Sequence, residues 1–394
     1  MTRTATTQDI PGITRHYVLA AGGTGGHMIP AHALAGELMR RGHRVALVTD
    51  DRGARFPGLF QGVQTHILPA GRMAGGPIGW LKGLRAIGRG REMARQLYRT
   101  FEPSAVIGFG GYPALPALLA GLQAGLPTAI HEQNAVIGRT NRLLARKVDV
   151  IATGFGDVAR LPEKLAGKVH VVGNPVRDEV TALRDQPFPP LTEDGIFRIL
   201  VTGGSQGATV LSDVVPEGLG LLPVAFRRRM QVTQQCRPED IEAVRARYRA
   251  LGIPAELATY LPDLPERMGW AHLVIGRAGA STIAELTVAG RPAILIPYPA
   301  ATDDHQTANA REMVEAGGAR VIRQPRFTAT ELAKQMQKLA LEPGALHNAA
   351  KRAASVGRPN SVRDLADLVE RLGGTPVLEA APAAIPDYSG KAFA

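Results

Sequence analysis

Residues 17–42 read YVLAAGGTGGHMIPAHALAGELMRRG, and this stretch decides the fold. Its first five residues, YVLAA, form the short apolar run that is typical of a buried strand, and AHALAGELMRRG has the apolar spacing of a helix. The four glycines in between therefore occupy a strand-to-helix turn, and His27 directly follows the last of them. Glycine lets the backbone approach a ligand closely, and the amides at a helix start attract anions. We therefore expect an α/β protein whose first turn either packs tightly or holds an anionic group such as a diphosphate.

The same alternation of strand-like and helical runs continues along the chain. Before residue 177 the strand-like runs are HRVALVTD, QTHILPA, SAVIGFGGY, TAIHEQN, VDVIATG and KVHVVGNPV. After the proline-rich stretch RDQPFPPLTEDG (184–195), the runs are FRILVTGGSQGA, MQVTQQ, AELATY, HLVIGRAG, PAILIPY and ARVIRQ. This alternation predicts two Rossmann-like, doubly wound parallel-sheet domains that face a cleft, with ligands beyond the carboxyl ends of the strands.

We assign residues 1–177 to an N-terminal domain and residues 178–358 to a C-terminal domain. The amphipathic segment 359–373 predicts a last helix that packs back on the N-terminal domain, and the composition of 374–394 indicates a flexible tail. A chain of 394 residues is long enough for two hydrophobic cores.

The composition limits the classes of protein. A single cysteine, Cys236, excludes an internal disulfide and a cysteine-rich metal site. The first 16 residues have no apolar stretch of signal-peptide type, so we expect a cytoplasmic protein. The most apolar stretch, 113–130, is interrupted by prolines and glycines, which predicts a short helix and a strand rather than a membrane span.

The net charge of +11 is partly concentrated in the segment 71–99, which has seven Lys and Arg residues and one acid. Apolar residues are interleaved with these cations. The segment is either a solvated helix with its apolar side chains in the core or a surface that docks on anionic lipid. Nucleic acid is disfavoured, because aromatic residues make up 5% of the chain and no stacking platform accompanies the charge. The residues expected to face a membrane are Ile78, Trp80, Leu81, Lys82, Leu84, Arg85 and Arg89.

Neither glycine turn matches a well-known phosphate motif. Met28 stands where the third glycine of a dinucleotide fingerprint belongs, and neither turn has the Gly-Lys pair of a Walker loop. A histidine at a helix start is disfavoured as a cation, so His27 is suited to accept a proton, although it is as well placed to cap its own turn.

A third glycine-containing run, GRAGASTIAE (276–285), has two interpretations. Thr282 and Glu285 have the spacing of a capping box, yet a carboxylate here is also suited to hold ribose hydroxyls. Downstream, Gln306 and Asn309 are three residues apart and share one helix face. No Asp-x-Asp motif is present, which weakens the case for a metal-bridged sugar nucleotide.

Six motifs, taken in order, resemble those of the MurG family of glycosyltransferases. They are AGGTGGH (21–27), FGGY (109–112), HEQN (131–134), GNPVR (173–177), GGSQGA (203–208) and GRAGASTIAE (276–285). The resemblance runs from about residue 17 to 372 and implies the GT-B fold. It also implies an inverting transfer of N-acetylglucosamine from UDP-N-acetylglucosamine to the muramyl 4-hydroxyl of undecaprenyl-diphosphate-muramyl-pentapeptide (lipid I to lipid II) in peptidoglycan synthesis, without metal or other cofactor. The enzyme would work at the cytoplasmic face of the inner membrane, as a peripheral protein on an anionic surface.

The resemblance assigns roles by matching positions. His27 and Glu132 would be catalytic, and His27 and Tyr112 would contact the acceptor. The residues implied to bind the donor are Thr24, Gly25, Gly26, Asn134, Arg177, Ser205, Gln206, Leu261, Ala280, Ser281, Thr282, Ile283, Ala284, Glu285, Gln306 and Asn309. One departure is QQCR (234–237), where an HQ-type run is expected, and it leaves the contacts of that loop open.

Three other functions stay open on the residues alone. A nicotinamide-linked oxidoreductase would use Asp50 or Asp51 to hold ribose, but Met28 argues against it. A UDP-sugar epimerase or a related transferase with another acceptor is closer in kind. A non-enzymatic module that binds polyanions or lipid would not respond to a UDP-sugar.

Overall fold

The computed structural model describes residues 14–23, 25–54, 60, 62–69, 76–192, 194–204, 207–340 and 343–374. Three predicted site residues, Thr24, Ser205 and Gln206, lie outside these ranges. So do the predicted tail beyond residue 374 and the side chain of Ile78.

Within the described residues, seven strands form the first sheet, and all of them are parallel. They are β1 (His16–Ala20), β2 (Arg44–Thr49), β3 (Gln64–Ile67), β4 (Ala105–Gly108), β5 (Thr128–Glu132), β6 (Val150–Thr153) and β7 (Val169–Val171). Their order is β3-β2-β1-β4-β5-β6-β7. The helices that follow these strands are α1 (Gly25–Arg40), α2 (Gly76–Phe101), α3 (Ala114–Gln123) and α4 (Arg139–Leu144). The stretch 113–130 thus contains a short helix and the start of a strand, as predicted.

The second sheet repeats this arrangement, with six parallel strands in the part of the chain that the structure describes. After the linking helix α5 (Asp178–Ala182) come β8 (Phe197–Thr202), β9 (Met230–Gln235), β10 (Ala255–Ala258), β11 (Leu273–Gly276), β12 (Ala293–Leu295) and β13 (Ala319–Val321). Their order is β10-β9-β8-β11-β12-β13. The remaining helices are α6 (Thr209–Gly220), α7 (Val224–Arg227), α8 (Ile241–Leu251), α9 (Leu264–Trp270), α10 (Ala280–Val288), α11 (His305–Glu315), α12 (Ala329–Ala340), α13 (Pro343–Ser355) and α14 (Ser361–Leu372).

Each sheet is covered on both faces because its strands are apolar on both faces. In β1, Tyr17 and Leu19 belong to the core cluster under α1, whereas Val18 and Ala20 belong to the cluster under α2 and α3. Successive strand residues point to opposite faces, so a continuous apolar run fits a doubly covered parallel strand. The expected fold, two doubly wound α/β domains of GT-B type, is confirmed.

The last helix, α14, packs on the first sheet's helix layer rather than on the second. Its buried residues Leu365 and Val369 join the core cluster that contains α1. Arg41, at the end of α1, donates to Asp367 and Glu370 of α14, both at 2.6 Å. The chain therefore passes between the two sheets twice. The division at residue 177 stays a prediction.

The strand order determines where ligands bind. In both sheets the order in which strands are added reverses beside the first strand, between β1 and β4 and again between β8 and β11. Open parallel sheets bind ligands at the carboxyl ends of the two strands that flank this point. The residues after β1 and β4 are the first glycine turn and FGGY (109–112), and those after β8 and β11 are the second glycine turn and 277–280.

Candidate active site

The first glycine turn is held from below by Asp50. Asp50 Oδ1 accepts hydrogen bonds from the backbone amides of Gly23 (3.2 Å) and Gly53 (2.8 Å). Gly23 has φ of 84°, a conformation that glycine adopts without strain. The nicotinamide interpretation assigns the Asp50 carboxylate to ribose, whereas here one of its oxygens stabilises the turn. Gly25 and Gly26 then open α1.

His27 lies in the first turn of α1, and one of its ring nitrogens is fixed by the backbone. Its Nδ1 lies 2.9 Å from the carbonyl oxygen of Gly22. A carbonyl only accepts hydrogen bonds, so Nδ1 carries the proton and Nε2 is the accepting nitrogen of the neutral ring. This bond ties the ring to its own turn, as the capping alternative expects, and it makes Nε2 the nitrogen of the neutral ring that can accept a proton.

The FGGY run forms the wall beside this imidazole. Gly110 and Gly111 have φ of 90° and 77°. A methyl group at Gly110 would lie 3.2 Å from His27 Nε2, and one at Gly111 would lie 2.8 Å from the Gly22 oxygen. The backbone conformation favours glycine at both positions, and close approach to the backbone requires it at Gly111, whereas a methyl group at Gly110 would crowd the His27 ring. Tyr112 follows them and is exposed at the same strand ends.

Glu132, at the end of β5, is buried and is used to shape a loop. Its Oε1 accepts from the backbone amide of Asn134 (3.0 Å), and its Oε2 accepts from the amide of Gly138 (2.8 Å) and from Asn141 Nδ2 (2.9 Å). These bonds position the loop 133–141 and leave little of the carboxylate for proton transfer. The geometry favours a positioning role for Glu132 over the catalytic role implied by the resemblance.

Asn141 is a residue of this site that the sequence analysis missed. It is buried on α4, and its Nδ2 donates to Glu132 and to the carbonyl oxygen of His131. A methyl group at Gly110 would approach both Asn141 Nδ2 (3.7 Å) and His27 Nε2 (3.2 Å), so the two side chains flank Gly110. A lone asparagine in a basic helix gives no sequence signal of this kind.

The second glycine turn, like the first, contains glycines with positive φ and close backbone contacts. Gly204 and Gly207 have φ of 79° and 66°, and a methyl group at Gly203 would lie 2.5 Å from the amide of Ala208. The motif QQCR (234–237), which differs from the family pattern, lies at the end of β9 and stabilises this turn. Its Gln235 Oε1 accepts a hydrogen bond from Thr202 Oγ1 at 3.0 Å. Cys236 is buried, and burial raises the pKa of its thiol to about 11.

Glu285 is paired with a distant arginine. Helix α10 begins at Ala280 with Gly279 as its N-cap and no side-chain cap, so the capping-box interpretation of Thr282 and Glu285 is wrong. Instead, Glu285 Oε1 accepts from Arg177 Nε (3.1 Å) and Nη2 (2.9 Å). Burial raises the pKa of the Glu285 carboxyl, and the adjacent guanidinium opposes that rise. Arg177 and Glu285, which the resemblance placed in one site, are thus in direct contact.

The expected uridine frame surrounds the start of α10. Leu261 is buried in the same core cluster as Ala280 and Ile283, and it follows the end of β10. Ser281 and Ala284 are partly exposed on α10. The amides of this helix start point towards the carboxyl edge of the second sheet, where an anion is favoured.

Gln306 and Asn309 both lie on α11, but their surroundings differ. Gln306 Oε1 accepts from the amides of Ala278 (3.2 Å) and Tyr298 (2.9 Å), and its Nε2 bonds to no described residue. Asn309 is 0% exposed, and its amide bonds to residues of both domains. Only Gln306 therefore offers a polar group to a ligand.

The basic segment is α2, and its two halves differ. The second half is in the core, where Leu97, Tyr98 and Phe101 are buried. In the first half Trp80 is 54% exposed and Leu84 is 55% exposed, and Leu81 is exposed as well. The alternative in which all its apolar side chains are in the core is therefore wrong. Lys82, Arg85 and Arg89 are exposed beside them.

None of the described helices, α2 included, combines the length and the hydropathy that a bilayer crossing requires. Across the described ranges, no three His, Cys, Asp or Glu side chains are grouped to hold a metal ion.

Two family models match the chain, one for each half. The glycosyltransferase family 28 N-terminal domain matches residues 17–153, and the glycosyltransferase family 28 C-terminal domain matches residues 198–369. Both matches include the glycine turns described above.

Curated relatives match almost the whole chain. A protein of Zymomonas mobilis is 69% identical over 92% of this chain and 93% of its own length. One of Novosphingobium aromaticivorans is 65% identical over 93% of this chain and 95% of its own length. Both are named UDP-N-acetylglucosamine--N-acetylmuramyl-(pentapeptide) pyrophosphoryl-undecaprenol N-acetylglucosamine transferase.

Solved structures agree. The crystal structure of Acinetobacter baumannii MurG has a TM-score of 0.73 at 28% identity, and the match covers 91% of this chain and 99% of that one. A Neisseria meningitidis UDP-GlcNAc 2-epimerase, at 15% identity and a TM-score of 0.64, shares the fold alone; the match covers 90% of this chain and 100% of that one. The chain therefore belongs to glycosyltransferase family 28 and, within it, to the MurG family of N-acetylglucosamine transferases.

Proposed function

We propose that the cleft between the two sheets transfers N-acetylglucosamine from UDP-N-acetylglucosamine to the muramyl 4-hydroxyl of a lipid-linked muramyl-pentapeptide, with inversion at the anomeric carbon. The observation that carries this proposal is the pairing of two strand-order reversals, each with a glycine turn and a helix start. The first of these positions also has the imidazole of His27, whose Nε2 is a hydrogen-bond acceptor. Two such positions suit two diphosphates, one in the donor and one in the lipid-linked acceptor.

The donor would lie against the second sheet. The start of α10 and the second glycine turn present amides to the diphosphate, and Glu285 is oriented by Arg177 to receive ribose hydroxyls. Gln306, whose Oε1 is held by two backbone amides, directs its Nε2 group to a sugar hydroxyl. We also assign Ser205 and Gln206 to the diphosphate and Leu261 and residues 280–284 to the uridine.

The acceptor would lie against the first sheet. His27 Nε2 takes the proton of the 4-hydroxyl while that oxygen bonds to the anomeric carbon. The bond from this carbon to the diphosphate breaks, and UDP leaves with the electron pair. The amides of the second turn and of α10 stabilise the negative charge on the leaving group. Thr24, Gly25, Gly26 and Tyr112 complete this side in our assignment, and Glu132 holds the loop that contains Asn134.

The first half of α2 would bring the enzyme to its lipid-linked substrate. Trp80, Leu81 and Leu84 enter the interface of the bilayer, and the neighbouring cations meet anionic headgroups at about 1 kcal/mol each. This surface supports a peripheral position on the inner face of the membrane, with no role for nucleic acid.

One assay tests the proposal. Purified protein is given UDP-N-acetylglucosamine labelled in the sugar and a polyprenyl-diphosphate muramyl-pentapeptide in mixed micelles. The expected result is labelled disaccharide-lipid together with free UDP. Epimerised free sugar, or label that stays on UDP, would contradict the proposal.

A further inference from the structure

The side-chain amide of Asn309 joins the two domains inside the protein. Its Oδ1 accepts from the backbone amide of Ala135 at 2.8 Å, and its Nδ2 donates to Asn134 Oδ1 and to the carbonyl oxygen of Ala278, both at 3.2 Å. Ala135 and Asn134 follow the first sheet, whereas Ala278 follows the second. Both polar atoms of this buried amide are therefore satisfied by the protein itself.

These bonds extend to both sides of the cleft. On the acceptor side, Glu132 holds the backbone amide of Asn134 at 3.0 Å. On the donor side, Gln306 Oε1 holds the amide of Ala278 at 3.2 Å. A continuous series of hydrogen bonds thus connects Glu132 with the helix that bears Gln306.

We propose that Asn309 is a positioning residue that locks the loop 133–138 of the acceptor side against the turn 277–279 of the donor side, and that it does not bind the donor sugar. Its effect on turnover rests on the proposed function. A buried amide with three protein partners has no face left for a hydroxyl, whereas its loss would leave several buried groups unpaired. The inference therefore separates Asn309 from Gln306.

Two ion pairs, each with at least one exposed partner, lie at the edge of the same interface. Arg160 meets Asp303 at 2.6 Å, and Arg311 of α11 pairs with Asp157. Exposed pairs are screened by water and salt, so they contribute little to the energy of closure. The buried amide, which bonds in three directions at once, fixes the geometry.

The decisive variant is Asn309→Asp, which keeps the shape of the side chain. One carboxylate oxygen can still accept from Ala135, but the other would face Asn134 Oδ1 and the Ala278 carbonyl, where a donor is needed. We expect hydrogen exchange at the Ala135 amide to accelerate about 10- to 100-fold and turnover to fall by a similar factor. The affinity for UDP alone should change less than about threefold, because Asn309 makes no hydrogen bond to Glu285 or to the residues 280–284 assigned to the uridine.

Domain closure is measured on the same protein with spin labels at Gln96→Cys and Gln337→Cys. Both residues are exposed, on α2 and α12, and the natural thiol of Cys236 is buried and does not compete for label. The distance distribution between the labels should broaden in the Asn309→Asp variant.

Two variants on the same helix are the controls. Thr307→Ala removes an exposed bond to Asp304 and should change neither the exchange at Ala135 nor the label distances. Gln306→Ala should weaken UDP-N-acetylglucosamine relative to UDP, which is the signature of a sugar ligand.

The proposal is overturned if Asn309→Asp weakens the binding of UDP-N-acetylglucosamine relative to UDP while hydrogen exchange at Ala135 and the label distances stay unchanged. It is equally overturned if Ala135 in the unaltered protein exchanges as fast as an exposed amide, a measurement that does not depend on whether any variant folds. Neither hydrogen exchange at Ala135 nor the spin-label distances depend on enzymatic turnover. If the protein fails the transfer assay but Asn309→Asp still changes both measurements, the proposed function is contradicted and the positioning role of Asn309 is not.

Discussion

His27 Nδ1 donates to the carbonyl oxygen of Gly22 across 2.9 Å, and this bond assigns the proton-accepting role to Nε2. Replacing His27 by alanine removes the proposed base but leaves the amides that open α1. We therefore expect turnover to fall by about 10²- to 10⁴-fold, with donor affinity nearly unchanged. Transfer rates and titration calorimetry with UDP measure the two effects. The exposed His170 of β7 is the control, and near-normal turnover of His27→Ala would remove the histidine from the mechanism.

Turnover should be as sensitive to substitution of Gly111 as to substitution of His27. A methyl group there would lie 2.8 Å from the Gly22 oxygen and 3.4 Å from His27 Nδ1, so Gly111→Ala should push this hydrogen bond apart. Gly125 offers a matched control, since its φ of 68° imposes the same strain with open space around it. We expect the strained φ to cost each variant about 1 kcal/mol of stability, the clash to cost Gly111→Ala more, and only Gly111→Ala to lose most of its turnover. Equal activity of the two would mean that the wall beside His27 is not needed.

Glu285→Ala should weaken UDP binding. The carboxylate is buried and oriented by Arg177, so its removal takes away a hydrogen-bond acceptor for ribose and leaves a guanidinium unpaired. A loss of about 10- to 100-fold in affinity is expected by calorimetry. Glu256→Ala breaks the exposed pair with Arg267 and serves as the control. If the affinity of Glu285→Ala for UDP is unchanged, Glu285 only forms the ion pair with Arg177 and does not bind ribose.

Reversing the charge of Lys82, Arg85 and Arg89 to glutamate should reduce binding to vesicles that contain anionic lipid. Each cation contributes about 1 kcal/mol near such a surface, and the effect should diminish with added salt. Arg249, Lys334 and Lys338 are exposed on the second domain, so their reversal makes the same change in net charge. Sedimentation with vesicles compares the two triple variants. Equal losses would mean that total charge, and not α2, determines binding.

Stability should fall in acid because two histidines are held neutral. His131 Nε2 donates to Gly173 and its Nδ1 accepts from Gln133, and burial lowers the pKa of His131 to about 4. Burial likewise lowers the pKa of His272 to about 4. A depressed histidine pKa contributes stability above the ordinary value of 6.5, and that stability is lost as the pH falls towards 4.

The contribution of His131 is about 3 kcal/mol. The measurement is the slope of the unfolding free energy between pH 6.5 and 4, for the unaltered protein, His131→Gln and His272→Gln. Each variant should have a shallower slope whatever its absolute stability. An unchanged slope in His131→Gln would show that burial does not lower the pKa of this ring in the folded protein.

Local patterns predict the elements of this fold well, because strands buried on both faces and helices with one apolar stripe are visible in short windows. The stretch 113–130 was resolved into α3 and β5 by its prolines and glycines, and the last helix by its amphipathic spacing. The glycine turns were predicted at strand-to-helix junctions, where the structure has them.

What the sequence does not predict is which residues distant in the chain become partners. Thr282 and Glu285 have the spacing of a cap, but Glu285 pairs with Arg177, 108 residues away. Asn309 shares a helix face with Gln306, and nothing in the sequence indicates that Ala135, 174 residues away, is its hydrogen-bond partner. Hydrophobic periodicity places a residue on a face and says nothing of what the tertiary fold brings there.

The return of α14 to the first sheet has a consequence for how the chain is made. Synthesis proceeds from the amino end, so the layer formed by α1 stays uncovered until the whole second domain has been translated. Leu365 and Val369 of α14 then cover this layer, and Arg41 forms its hydrogen bonds with Asp367 and Glu370. The half of the protein that emerges first from the ribosome is thus the last to be completed, and a fragment that ends at residue 358 should bind a dye that reports exposed apolar surface.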